Sequence, residues 1–165
     1  PWNVTVVDTG YNTMTGGRVK RIKPYVGDEP FLLTYGDGVA DVNINELIKY
    51  HKEHKKYLTV TAINPGQRFG VLGINSQGNV SSFHEKSDDD GELINGGYMV
   101  VEPEVFDYID GDQTFFEKDP VERLVAEDQV AAYQHNGFWQ CMDNMREHDI
   151  LERLYAENKA PSKIW

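Results

Sequence analysis

Cysteine is almost missing from this chain. Among 165 residues there is one, Cys141, so no internal disulfide can form. Such usage fits a reducing compartment. Positive charge is short as well. Sixteen Lys and Arg stand against 27 Asp and Glu, a formal net charge of −11. A nucleic-acid backbone demands basic surface, so nucleic acid is not an expected partner. A small phosphorylated ligand needs only a few local cations and stays open. No apolar run approaches the ~20 residues that span a bilayer. Pro1-Trp2-Asn3-Val4 lacks the charged start and apolar core of a signal peptide. The expectation is a soluble cytoplasmic chain without membrane contact. The five histidines show no metal spacing. His51 and His54 are three apart on a predicted helix with no further ligand, so His51 is expected to pack on a helix face. There is no G-x-S-x-G, which removes Ser/His/Asp hydrolysis. Nor does a Gly-rich phosphate loop follow the first predicted strand, where an α/β nucleotide-binding domain usually carries one.

What is present reads as one α/β domain over 1–165, long enough to bury a sizeable core. "WNVTVVD" alternates and is β-branched, which predicts a strand over Asn3–Val7. Thr15 is placed to cap a helix running from Gly16 to about Tyr25. Phe31–Tyr35 reads as a short strand of the buried, parallel kind. Asn43 precedes a helix with Ile44, Leu47, Ile48 and His51 on one face. "LTVTAI", "INGGYMVVE" and "VAAYQHN" read as strands, and "GVLGI" with "NVSSFHEK" as a hairpin across "NSQGN". A short helix opens at Pro103, another follows at "DPVERLVAED", and "NMREHDILERLYAEN" closes the chain. Strands alternating with helices predict a mostly parallel sheet.

Four stretches could carry chemistry. In "LLTYGDGVADV", Asp37 stands between Gly36 and Gly38 just past an apolar run. Ligands of doubly wound sheets sit at strand ends, and Mg²⁺ takes one or two carboxylates plus phosphate and water oxygens. The plain alternative is an Asx turn. In "GFWQCMDNMRE", Asp143 is a second acid, or else Asp143 or Asn144 is an ordinary helix N-cap. In "FHEKSDDDGELINGGYMV", Lys86 could hold a phosphate, and Asn95 with the glycine backbone could meet sugar hydroxyls. A surface ion pair and a Gly turn are the alternatives, and Asp88-Asp89-Asp90 reads as a solvated tip. In "MTGGR", Gly16-Gly17 offer N–H groups at a helix start and Arg18 a guanidinium fork, unless Arg18 is merely exposed.

Together, "VTVVDTG", "MTGGRVKRI", "FLLTYGDGVADV", "FHEKS", "INGGYMV", "FWQCMDNMRE" and "ENKAPSKIW" resemble sugar-nucleotide pyrophosphorylases, a nucleotidyltransferase family, and within it those that join CTP to glucose 1-phosphate. The likeness covers essentially the whole chain. It implies a three-layer, Rossmann-like nucleotidyltransferase fold with a mixed, mostly parallel sheet, incomplete at its N-terminal side. It implies Mg²⁺ on Asp37 and Asp143, and a nucleotide lined by Thr13, Arg18 and Gly36. Lys86 would meet the sugar phosphate, and Glu85, Asn95 and Gly96 the hexose. The implied reaction takes CTP and α-D-glucose 1-phosphate to CDP-glucose and pyrophosphate, an early step toward 3,6-dideoxyhexoses of surface polysaccharide, in a homo-oligomer.

The family's opening strand and its G-G-x-G-T-R loop match nothing in Pro1–Trp165. The expectation is therefore a C-terminal portion, inactive by itself. Two rivals stand beside it. One is a metal-dependent glycosyltransferase, disfavoured because Gly38-Val39-Ala40 separate Asp37 from Asp41 where a D-x-D pair has one residue. The other is a non-catalytic binding module.

Overall fold

A computed structural model of the chain describes residues 1–65, 71–74, 80–84 and 93–163, the two short internal stretches by their backbone pairing. The chain forms two compact units: 1–34, 44–60 and 97–133 make the first, and 35–43, 61–96 and 134–165 the second.

The first unit holds most of a four-stranded sheet in the order β1-β6-β3-β7. These strands are β1 (Phe31–Thr34), β3 (Leu58–Ile63), β6 (Ile94–Val101) and β7 (Val130–His135). The sheet is mixed, with parallel strands besides an antiparallel β1–β6 pair in which Phe31 faces Val101 and Thr34 faces Tyr98. β3 is buried along nearly its whole length, and its β-branched run "LTVTAI" suits that position. The unit's helical elements are α1 (Thr15–Arg21), α2 (Lys23–Val26), α3 (Ile44–His54), a 3₁₀ turn (Pro103–Tyr108) and α4 (Asp119–Ala126). Leu47, Leu58, Val101, Val105, Ile109, Phe116 and Leu124 are among the buried apolar side chains of this unit. Burying each contributes roughly 1.5–3 kcal/mol.

His51 fills the packing role its helix position predicts. It is buried, with Nδ1 2.8 Å from Thr59 Oγ1 and Nε2 3.0 Å from Glu102 Oε1. Both ring nitrogens are thereby satisfied inside the fold.

Three local expectations change. Residues 3–7 form no strand, and Trp2 and Val6 are 94% and 92% exposed. Alternation alone does not make a strand, because the backbone groups also need a neighbour to pair with. β1 is an antiparallel strand at the end of the four-strand order, with every second residue exposed, rather than a buried parallel one. Apolar composition marks burial only where both faces are covered. The helix expected from Gly16 to Tyr25 is two helices that meet at Ile22, and Met14 rather than Thr15 is the N-cap. Pro24 explains the break, since its ring cannot donate into a continuing helix.

The second unit contains two antiparallel pairs and a helix. β4 (Val71–Ile74) pairs with β5 (Val80–His84), the predicted hairpin, with an irregularity between Gly73 and Ile74. β2 (Gly38–Ala40) pairs with β8 (Trp139–Cys141), and α5 (Met145–Ala156) follows. Among the described residues no helix is long and apolar enough to cross a membrane.

Candidate active site

The three-residue ribbon β2–β8 organises the second unit's polar groups. Gly38 faces Cys141, Val39 faces Gln140 and Ala40 faces Trp139. Asp37 precedes β2 and Asp143 follows β8, so both acids belong to the same end of the ribbon. The Met142 amide donates to the Asp37 carbonyl at 2.9 Å and closes that end. The antiparallel ribbon, rather than the parallel strands of a doubly wound sheet, puts the two acids at one end. Both acids are exposed, and no cationic side chain among the described residues forms a salt bridge to either.

Asp143 is not the helix cap. Asn144 takes that role, its Oδ1 accepting from the Glu147 amide at 3.1 Å. Glu147 is 3% exposed, and its Oε2 accepts the Asp143 amide at 2.8 Å and the Cys141 thiol at 3.5 Å. A carboxylate in the first turn of a helix is favoured by the helix dipole. Burial pushes the Cys141 thiol up from its ordinary pKa, and the hydrogen bond to Glu147 and the charge of Asp143 add to the shift. Ligand atoms of Cys141, Asp143 and Glu147 lie within 4.8 Å of one another. The oxygens suit a hard cation, whereas a protonated thiol is a poor ligand for one. Glu147 escaped the sequence reading, although Asn144-x-x-Glu147 ahead of an apolar-periodic run is a recognisable capping pattern.

Asn95 and Gly96, read in the sequence as a possible Gly turn, are instead residues of strand β6. The Asn95 amide nitrogen is 3.4 Å from the Tyr35 hydroxyl. Gly96 is buried, and its carbonyl accepts the Trp139 indole N–H at 2.8 Å. A Cβ on Gly96 would lie 2.9 Å from Ile63 Cγ2, so the glycine is demanded by packing. Gly36 differs. Neither it nor Gly38 has a positive φ, so no sharp turn requires them, and the space where a Gly36 side chain would stand is open. Glu85, Lys86 and the Asp88-Asp89-Asp90 run lie outside the described residues.

Thr13 and Arg18 belong to the first unit. Thr13 is buried, and the Arg18 guanidinium donates to Thr9 Oγ1 at 2.7 Å and to the Tyr11 carbonyl at 3.2 Å. The N–H groups expected to be free for an anion are used internally. Gly16 N donates to the Thr114 carbonyl at 2.9 Å, Gly17 N to the same oxygen at 3.3 Å, and Met14 N to the Asp112 carbonyl at 2.8 Å. Arg21 binds Asp112 through a two-pronged pair at 2.9 and 2.6 Å and holds its carboxyl below the usual range.

A nucleotidyl transferase family model matches residues 12–145, most of the chain. The chain belongs to the nucleotidyl transferase family. Enzymes of this family typically use a divalent metal. The chain is 51% identical to glucose-1-phosphate cytidylyltransferase of Salmonella typhimurium over all of its own length and 64% of that protein's. It is 29% identical to mannose-1-phosphate guanylyltransferase 1 of Arabidopsis thaliana over 82% of this chain and 40% of that one. The fold matches a UDP-glucose pyrophosphorylase solved with UDP-glucose at a TM-score of 0.67 and 12% identity, covering 92% of this chain and 65% of that one. The chain thus spans just under two thirds of the cytidylyltransferase it matches.

Proposed function

We propose that the protein transfers CMP from CTP to α-D-glucose 1-phosphate, giving CDP-glucose and pyrophosphate, with 1–165 as one nucleotidyltransferase domain. The observation that carries this reading is the 51% identity with the Salmonella cytidylyltransferase across the whole chain. More distant relatives act on other bases and sugars, so likeness at that level supports only the reaction type. A homo-oligomer in the cytoplasm, feeding surface-polysaccharide synthesis, completes the proposal.

The chemistry needs no covalent intermediate. A phosphate oxygen of glucose 1-phosphate attacks the α-phosphorus of CTP in line. The new P–O bond forms as the bond from the α-phosphorus to the bridging oxygen breaks, and pyrophosphate leaves with that electron pair. Such a reaction is accelerated by positioning and by charge neutralisation. Asp37 and Asp143 would hold Mg²⁺, which supplies positive charge against the phosphates. Two exposed carboxylates on one ribbon end, without a cationic partner among the described residues, suit that ion. They act as ligands and not as general bases, because the attacking phosphate oxygen has no proton to lose at neutral pH. Lys86 would meet the sugar phosphate, while Glu85, Asn95 and Gly96 face the hexose. Thr13, Arg18 and Gly36 would line the nucleotide. Asp41 has no place in this set, since its carboxylate lies 3.0 Å from His135 Nε2. That contact also weighs against an Asp37–Asp41 metal pair of the glycosyltransferase kind.

The test is a nucleotide panel. The intact protein, glucose 1-phosphate and Mg²⁺ are incubated with CTP, UTP, GTP, dTTP or ATP, and pyrophosphate release is followed. CTP is expected to give the highest kcat/KM, with CDP-glucose as product. A higher kcat/KM with another nucleotide would overturn the base assignment, and no release with any would overturn the reaction.

A further inference from the structure

Three paired positions are few for a strand pair that must hold two acids in place. A two-stranded ribbon is marginal in water, and a slip of one residue would turn every side chain to the opposite face. The ribbon residues Gly38, Val39 and Ala40 offer little side-chain pattern to fix the register. Something outside the ladder has to fix it.

The end of the ribbon opposite the acids carries such a device. Asp41 N donates to the Phe138 carbonyl at 3.1 Å. His135 Nε2 stands 3.0 Å from Asp41 Oδ1 and 3.2 Å from the same Phe138 carbonyl. The imidazole side chain is 9% exposed, whereas Asp41 is an exposed residue whose side chain is 31% exposed, so the contact lies at the surface with its imidazole half sheltered. The ring nitrogen hydrogen-bonds the Phe138 carbonyl and stands beside the Asp41 carboxylate, so the imidazole bridges the residue after β2 and the residue before β8. Gly137 makes room for it: a Cβ there would overlap the Asp41 carboxylate and lie 2.6 Å from His135 Cε1.

We infer that Asp41 and His135 are positioning residues: their contact sets the β2–β8 register that presents Asp37 and Asp143 to a divalent metal. The inference rests on the metal role proposed for those two acids. Neither Asp41 nor His135 touches the metal or a substrate. Shifting the ribbon by one residue would carry Asp37 and Asp143 out of step, so the cost of losing the clamp appears as metal affinity. Partners bonded directly to metal ligands are worth roughly 10–100-fold in metal affinity, and a clamp acting through the ribbon is expected at the lower end of that range.

The experiment compares the intact protein with Asp41→Asn, His135→Gln, the double variant and Gly137→Ala. Mn²⁺ is titrated alone and bound ion is read by electron paramagnetic resonance; the Mg²⁺ concentration for half-maximal turnover is measured beside it, with the Tm. Each single change is expected to weaken Mn²⁺ binding about tenfold and to raise half-activating Mg²⁺ by a similar factor, with most of kcat regained at saturating Mg²⁺. The double variant is expected to be no weaker than the worse single one, because one contact is lost in each. Charge alone predicts otherwise. Removing the Asp41 charge would weaken a cation site, but replacing His135 with neutral Gln would leave it unchanged or tighten it. Only a positioning role weakens both. Unchanged Mn²⁺ affinity in His135→Gln, losses that multiply in the double variant, or loss of the fold in all four variants would overturn the inference. The Mn²⁺ titration contains no nucleotide or sugar, so it reads the clamp independently. Wild-type protein that binds Mn²⁺ in a clamp-dependent way yet releases no pyrophosphate would reject the reaction and keep the clamp.

Discussion

In the sequence the ribbon end at Asp37 and Asp143 offers carboxylates to a cation and the Gly16-Gly17 start of α1 offers N–H groups to an anion, and the structure treats them oppositely. At the start of α1, the amides of Met14, Gly16 and Gly17 donate to carbonyls of Asp112 and Thr114, and Arg18 bonds Thr9 and Tyr11. At the ribbon end, two carboxylates stand exposed with no cationic partner among the described residues, while the Asp37 carbonyl accepts from Met142 and the Asp143 amide donates to Glu147. A group already satisfied by its own chain stabilises the fold; a rigidly held group left without a counter-charge is equipped for a ligand. The lesson is that N–H groups at a helix start count as a binding site only after their internal acceptors have been sought.

The comparison can be broken most forcefully by substitution at the ribbon. Asp37→Ala and Asp143→Ala should each lower Mg²⁺-dependent turnover of the intact protein by about 100-fold or more, with the Tm little changed, since removing a metal-held charge clamp costs at least several kcal/mol in the transition state. Steady-state rates with CTP and glucose 1-phosphate check this. Near-normal rates in either variant would remove that acid from the site.

The start of α1 should fail in stability instead. A Cβ on Gly17 would lie 2.6 Å from Asp112 Cα and 2.7 Å from its carbonyl oxygen. Gly17→Ala is therefore expected to destabilise by about 1–3 kcal/mol, as overpacking typically does. Denaturant midpoints measure it. An unchanged midpoint would show that the start of α1 is not packed as described.

A smaller effect concerns Cys141. Its raised pKa should leave the thiol at least severalfold slower toward iodoacetamide at pH 8 than free cysteine, because the thiolate is the nucleophile. Glu147→Gln should speed it by removing one of the causes. Equal rates for wild type and free cysteine would contradict the buried contact with Glu147.

The smallest concerns acid. Asp112 has a lowered pKa through Arg21, so its contribution is present above the ordinary carboxylate pKa and is lost as pH falls through the lowered one. Both side chains are about half exposed, so the effect is screened. Asp112→Asn should lower stability slightly at pH 7, make no difference at a pH well below the lowered pKa, and so flatten the acid limb of the curve below about pH 4.

Much of the fold was legible. "LTVTAI" and "INGGYMVVE" are inner strands whose apolar and β-branched residues fill the sheet interior, "VAAYQHN" is the strand at the end of the order, and α3 follows its own apolar face. The β4–β5 hairpin was visible in its turn residues. What escaped depended on partners distant in the chain. Val4 and Val6 carry a strand pattern with no neighbour among the described residues to pair with. Gly38–Ala40 are too few and too plain to announce a strand, yet pairing with Trp139–Cys141 makes them one. The site divided along the same line. Asp37 and Asp143 were readable as residue types in suggestive surroundings. The clamp of Asp41 and His135 was not, because it joins side chains that only the ribbon's register brings together.

The central claim is that Asp37 and Asp143 form one metal site and not two. Mn²⁺ titration of the intact protein in the presence of CTP, with Asp37→Ala, Asp143→Ala and their combination, tests it most directly. The account predicts one tight Mn²⁺ per chain in the wild type, loss of that ion in each single variant, and no further loss in the double. Tight binding retained by either single variant, or two separate losses that sum in the double, would contradict it.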